Sequence, residues 1–289
     1  MTYPAKGYGT YGPDPWHQTS WDARAAGNFI GGGMGSGLIV FALLSGATGA
    51  ALAALLLAGL ALVGFGLFCV SLELGRPLRA LNVFRNPRTS WMAREAWTSV
   101  MLVPATLAAA AGVPGVAWLA LALALAFVYC QARLLQAAKG IAAWREPILR
   151  PLLVATGLVE GGGLVLLATL GPVQAPASLV VLFGVLVLAR WSLWRLYRHR
   201  VGTKLAARAA VALDHAGRVL LVAGTLVPLA LLALVAATGT SGVAAPPAVA
   251  LAGLAATAAG VYLKLVLVTR AGFNQGFSLP HLPVRGTRS

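Results

Sequence analysis

Residues 50–95 read AALAALLLAGLALVGFGLFCVSLELGRPLRALNVFRNPRTSWMARE. As far as Leu72 the run carries no charge, and roughly 20 apolar residues are what a helix needs to cross a bilayer. Then Arg76, Arg79, Arg85 and Arg88 follow, and Pro77 and Pro87 forbid one regular helix. A new apolar stretch begins near residue 94, so the chain re-enters on the side it left. The alternation repeats outward from here. Eight apolar spans are expected, at about 24–46, 50–73, 94–111, 115–137, 150–170, 176–197, 213–237 and 244–269. The connections Gly46–Gly49, Ala111–Gly115, Leu170–Ala177 and Thr238–Pro247 hold no charged residue. The remaining ones hold the four arginines above, then Lys139, Arg145 and Arg150, then Arg198, Arg200, Lys204 and Arg208. Excess Lys and Arg marks the cytoplasmic side. The reading is an all-α integral membrane protein of eight transmembrane helices in two four-helix halves. Both termini lie on the cytoplasmic side of the inner (cytoplasmic) membrane. Residues 1–23 form an N-terminal cytoplasmic segment, 24–269 the membrane domain and 270–289 a cytoplasmic tail.

Composition agrees. Of the 289 residues 59% are hydrophobic and 10% charged, against roughly 25% charged in soluble domains. The net charge of +15 sits beside membrane helices, where lipid headgroups or a protein partner are nearer than nucleic acid. Residues 1–23 lack the basic then apolar pattern of a signal peptide and are rich in Tyr, Trp and Pro. They read as a cap on the cytoplasmic side or as a loose tail. Cys69 and Cys130 are the only cysteines, too few for an iron–sulfur cluster, which usually takes four thiolates. They read as buried apolar residues. His17, His199, His215 and His281 offer no pair within the bundle to hold a haem. Neither metal, haem nor cluster is expected in this chain.

Polar residues within apolar spans are the functional candidates, because they are costly there. Gly27, Gly31 and Gly35 open the first span at four-residue spacing, with Gly32, Gly33 and Gly37 beside them. Such spacing permits close helix packing, or leaves room for a flat ligand. Asn28 lies within that run and needs a partner. Glu73 closes the second span and Glu95 opens the third. They are either interfacial carboxylates neutralised by arginines or a protonatable site for a lipid-soluble substrate. Leu78, Leu81, Val83 and Phe84 are expected to face the membrane and the arginines water. Tyr129 has a similar depth. Trp91, Trp97, Trp144, Trp191, Trp194 and Tyr197 read as an interfacial belt, with Trp118 towards the other side. Glu160 stands near the midplane with Gly161, Gly162 and Gly163 after it and no basic residue at its depth. It reads as half of a proton route or as a helix–helix hydrogen bond. Lys264 is expected to snorkel to the interface.

The stretch from Glu73 to Glu95, with Gly75, Pro77, Leu78, Arg79, Asn82 and Ser90, resembles the second-to-third-helix region of the DMSO-reductase membrane-anchor family, within the wider polysulfide-reductase and NrfD-like group. The run Tyr129-Cys130-Gln131-Ala132, the tail Phe273-Asn274-Gln275-Gly276-Phe277 and the eight-span length are also similar. Within the group the chain looks most like the anchor subunits of phenylacetyl-CoA:acceptor oxidoreductases. The resemblance implies a subunit without redox metal that binds a quinone or quinol, menaquinone or ubiquinone. Its implied partners are a multi-cluster iron–sulfur subunit docked on the charged face and a molybdenum or tungsten pterin catalytic subunit. It implies quinol chemistry at Glu95. Glu73 replaces the histidine that closes helix 2 in DMSO-reductase anchors, and the first-helix histidine of some relatives has no match. Asn28 and Tyr129 match the polar quinone ligands of the polysulfide-reductase branch. Arg76, Arg79 and Asn82 complete the expected site.

Quinone reduction takes two electrons and two protons, so a site needs hydrogen-bond partners and a proton path. Glu95, Glu73, Tyr129 and Asn28 at one depth supply these types. The arginines at 76, 79, 85 and 88 suit a more acidic electron-transfer partner. Two other classes stand beside this: a purely structural anchor, and a small-solute transporter with a midplane site.

Overall fold

The computed structural model describes residues 14–73, 77–171, 173–238 and 245–276. Among these the architecture is all-helical: α1 (Ala23–Leu44), α2 (Gly49–Ser71), α3 (Trp91–Ala110), α4 (Val116–Ala137), α5 (Leu149–Leu167), α6 (Ala177–Val201), α7 (Ala207–Leu221), α8 (Val227–Thr238) and α9 (Ala245–Thr269). A 3-10 helix, Pro77–Arg85, bridges α2 and α3. A π-helical turn, Val222–Leu226, joins α7 and α8 into one rod. Eight long rods result. Seven are long and apolar enough to cross a membrane. The other is α3, which carries Arg94 and Glu95 near its start.

Local chemistry sets the ends. Asp22 caps α1 by accepting from the Arg24 N–H, and Ser90 caps α3 by accepting from Ala93. The short uncharged connections turn on Gly46, Gly49, Gly112 and Gly115, all at positive φ, where a side chain would be strained. The seventh rod starts at Ala207, about two turns before the expected 213. The Ala-rich stretch 206–212 favours helix, so Arg208, expected in a connection, lies on α7.

In α1, 72% of the most apolar stretch is buried, against 28% in α2 and α6. Glycines make this central position workable. A Cβ on Gly31 or Gly35 would strike backbone of α2, and one on Gly37 would strike the Gly157 carbonyl of α5. Gly161 of α5 meets Gly37 and Leu38 in the same way. The expected halves therefore meet along their first helices, α1 and α5. The bland reading of the glycine run, close packing, holds along these contacts.

One end of the bundle gathers the charged connections and the described parts of the terminal segments, residues 14–22 and 270–276. Backbone pairing links His17 with Phe273 and Ile141 with Asn274. The Trp16 N–H donates to Asn274 Oδ1 at 3.0 Å, and Arg145 donates to Gln275 Oε1 at 2.9 Å. Trp21 stacks on Trp144 at 5.0 Å, whose indole donates to the Leu267 carbonyl. Trp144 and Trp194 are buried, and the Tyr197 hydroxyl donates to the Ala143 carbonyl. These three are core residues of this end and not an interfacial belt. Trp97 and Trp118 are exposed as expected.

Candidate functional site

Two polar clusters lie inside the bundle, one on each side of the start of α1. The first joins α1, α3 and α4. Glu95 follows Ala93 and precedes Ser99 and Leu102 on the buried face of α3, and is itself 4% exposed. Asn28 Nδ2 donates to Glu95 Oε1 at 3.4 Å. Gln131 Nε2 donates to the Asn28 carbonyl at 2.9 Å and approaches its Oδ1 at 3.5 Å. The three side chains come from three helices and are all buried.

The second joins α1, α5, α6 and α9. Lys264 Nζ donates to Glu160 Oε2 at 2.5 Å and to the Phe29 carbonyl at 2.9 Å. Arg190 is fully buried beside them. Its Nη1 donates to the Ala256 carbonyl at 3.0 Å and its Nη2 to the Gly224 carbonyl at 2.6 Å. Gly224 lies in the π-helical turn, where the i to i−4 ladder is interrupted. The Thr257 hydroxyl donates to the Glu160 carbonyl. Glu160 Oε1 and Arg190 Nε are buried with no hydrogen-bond partner.

A shared cause puts both clusters here. Backbone carbonyls of a helix point along its axis towards the residue four positions on. The carbonyls of Asn28 and Phe29 are approachable because those residues are Gly32 and Gly33. A Cβ on Gly32 would collide with Gln131 Nε2, and one on Gly33 with Lys264 Nζ. The glycine run therefore also leaves room for polar side chains of α4 and α9. A cavity of about 10 Å³ lies between Gln131 and Lys264, walled by Phe29, Gly33, Val128 and Leu153. That is about the space of one water.

The expected site residues divide. Asn28 and Glu95 come together. Tyr129 does not join them: it is 42% exposed on the outside of α4 and packs edge-on against Trp91 at 6.0 Å. Helix geometry explains the correction. Residues two apart lie about 200° apart around a helix, so when Gln131 faces α1, Tyr129 faces out. Glu73 stands past the end of α2, near Asp22 and Arg24. Its Oε1 is covered and unpartnered. Burial, then the Asp22 charge, push its carboxyl up, with Arg24 pulling the other way. Arg24 holds Asp22 and donates to the Leu72 carbonyl. Asn82 is exposed on the 3-10 helix, away from the cluster, as is Leu81. Phe84 packs on Trp97. Arg76 and the side chains of Arg79 and Leu78 lie outside the described residues.

Sequence reasoning missed Gln131 as a ligand, Arg190 altogether, and the inward course of Lys264. Glu160 does have a basic residue at its depth. Cys69 and Cys130 are buried free thiols. No group of three or more His, Cys, Asp or Glu fit for a metal occurs among the described residues. No known family model matches the sequence, and no curated protein is similar enough to it to count as a relative.

Proposed function

We propose that this chain is an integral inner-membrane subunit whose eight rods all cross the bilayer, with the Lys/Arg-rich end and both termini cytoplasmic, and that it exchanges electrons between the quinone pool and an iron–sulfur partner of a molybdo- or tungsto-pterin oxidoreductase. The observation that carries this reading is the buried Asn28–Glu95–Gln131 cluster, just inside the charged end. Polar groups at such a depth are rarely kept without use. The residues fit a quinone carbonyl chemically: two amides that donate, and a carboxyl that can hold a proton. The adjoining cavity admits a water and excludes a ring, so a headgroup would approach from the α3–α4 flank, where Tyr129 is exposed and the Trp91 ring lies under the guanidinium groups of Arg94 and Arg133. When bound, the quinone supplies the two-electron chemistry and the protein placement and protons. Glu95 holds and delivers a proton, Asn28 orients Glu95, and Gln131 fixes Asn28 from behind. Glu73 lies past the end of α2, beside Asp22 and Arg24 at the start of α1.

The test is purification from the native membrane in mild detergent, identification of co-purifying proteins, and extraction of bound quinone. The expected result is an iron–sulfur subunit, a pterin-metal subunit and quinone, with Glu95→Gln keeping the assembly and losing at least about tenfold in quinol turnover, within the usual reach of one positioned acid–base group. An isolated, quinone-free chain overturns the proposal. Intact turnover in Glu95→Gln leaves a purely structural anchor.

The Glu160–Lys264–Arg190 network favours a second reading, a small-solute or ion transporter, since charged groups at mid-depth mark transport pathways. Solute flux into vesicles holding this chain alone, abolished by Glu160→Gln, supports it over the first.

A further inference from the structure

At the charged end, α6 and α7 leave between them a cavity of about 420 Å³, within the range of small-molecule sites. Its floor is indole. Trp194 is 3% exposed and closes against Gly217, where a Cβ would come within 2.7 Å of Trp194 Nε1. Arg195, Arg198 and Arg218 contribute to its walls, and Asp214 is the sole carboxylate among the lining residues. Asp214 is engaged by one of them: Arg198 donates to its Oδ1 through Nε at 3.1 Å and Nη2 at 2.5 Å. Arg198 Nη1 is buried and has no hydrogen-bond partner. Among the described residues no carboxylate lies within ion-pair distance of Arg195 or Arg218. The site carries a surplus of two positive charges.

The other half of the site is apolar. Trp191 and Leu221 line the cavity. Further along the same two rods, away from the charged end, Leu188, Val185, Val222 and Leu226 are all exposed. A soluble phosphate has no use for such a strip, and an acidic peptide would leave it bare. A molecule with a phosphate head and hydrocarbon tails matches both halves. Basic pockets at helix ends on the cytoplasmic side suit this kind of ligand. Planar guanidinium forks suit phosphate oxygens, and indoles suit the headgroup level.

We propose that this flank is a binding site for an anionic phospholipid, with the phosphate held by Arg195, Arg198 and Arg218 and the acyl chains along α6 and α7. This goes beyond the quinone reading and does not depend on it, because it needs only that the rods lie in a bilayer.

The experiment uses the full chain, delipidated in a neutral detergent. Thermal unfolding and native mass spectrometry are followed as phosphatidylglycerol, phosphatidylcholine of the same chains, or inorganic phosphate is added. The variants are Arg195→Gln/Arg218→Gln, which alters two exposed side chains, and Arg85→Gln/Arg88→Gln as a charge-matched control elsewhere. The expected result is retention and stabilisation by phosphatidylglycerol, at least tenfold weaker in the first variant and unchanged in the control. Trp191→Ala, a second variant with the arginines intact, should weaken the same lipid. Equal response to phosphatidylcholine, or an equal loss in the control, overturns the proposal. A response reproduced by inorganic phosphate alone assigns the cavity to a soluble anion and also overturns it. So does an unchanged lipid response in a first variant that instead loses a co-purifying protein.

Discussion

Lys264 Nζ lies against Glu160 because side chains lean towards the N-terminus of their own helix. The C-terminus of α9 is at the charged end, so the lean of Lys264 carries its stem inward. The N-terminus of α5 is at that end, so Glu160 leans back to meet it. By rise alone the two Cα atoms lie about 16 Å and about 8 Å from their charged-end termini, and the opposed leans close the gap. Hydropathy and position count residues along the helix and do not register this lean, so the pair was not legible as a pair, although each residue stood out singly. Removing one partner of a buried ion pair leaves the other uncompensated, which costs about 3–5 kcal/mol, whereas replacing both is often neutral. Lys264→Met should therefore unfold far more readily in detergent than wild type. Lys264→Met/Glu160→Gln should recover most of the loss, and a double variant as unstable as the single would refute the pairing. Glu73 gives a pH test at the end of α2. Its carboxyl is raised above the ordinary 4.5, by burial first and by Asp22 second. A carboxyl raised in the folded state favours folding below the unfolded value, and that contribution is lost as pH rises through the folded value. Glu73→Gln should match wild-type stability in acid and gain on it as pH climbs through and beyond 4.5, read by thermal unfolding across pH. A gap that is constant with pH would contradict this.

At the scale of elements, seven of the rods were legible because length and apolarity can be counted along the sequence, whereas α3, with Arg94 and Glu95 near its start, falls short of both together. What the helices face was less so. The glycine run of α1 announced close packing, but which partner each glycine meets depends on rotation about the axis, as Tyr129 and Gln131 also illustrate. The structure separates glycines that packing requires from those it does not. A Cβ at Gly37 meets the Gly157 carbonyl of α5, whereas one at Gly64 of α2 meets nothing within 4 Å. Gly37→Ala should cost about 1–3 kcal/mol, the usual price of overpacking. Gly64→Ala should be neutral or stabilising by up to about 1 kcal/mol, through helix propensity. The two substitutions, compared by unfolding in one detergent, should differ in sign or by several-fold in size.

For the whole molecule, the sorting of charge to one end was the most legible property, since each connection announces its end by composition. Sidedness is then open to labelling. In the native background Cys69 and Cys130 are buried, so they should react slowly. Val113→Cys, in an uncharged turn, should react with a membrane-impermeant thiol reagent in intact cells, and Lys139→Cys only after permeabilisation. Reversed reactivity would invert the orientation, and labelling of both from one side would mean that α4 does not cross. The arrangement of the two ends was less legible. Aromatic and amide residues in 14–22 and 270–276 carry no periodicity, and their pairing depends on three-dimensional closure.

That closure has a consequence in time. The Trp16 N–H is satisfied by Asn274, 258 residues later, and Gln18 by the Gly272 carbonyl. At roughly 5–20 residues per second, a ribosome makes the intervening chain in about 13–50 s. Throughout that interval the earliest residues have emerged without their partners. Residues 16–18 find their partners late, so a nascent chain halted at any point before residue 272 should leave them open to protease, and emergence of residues 272–274 should close them in a single step.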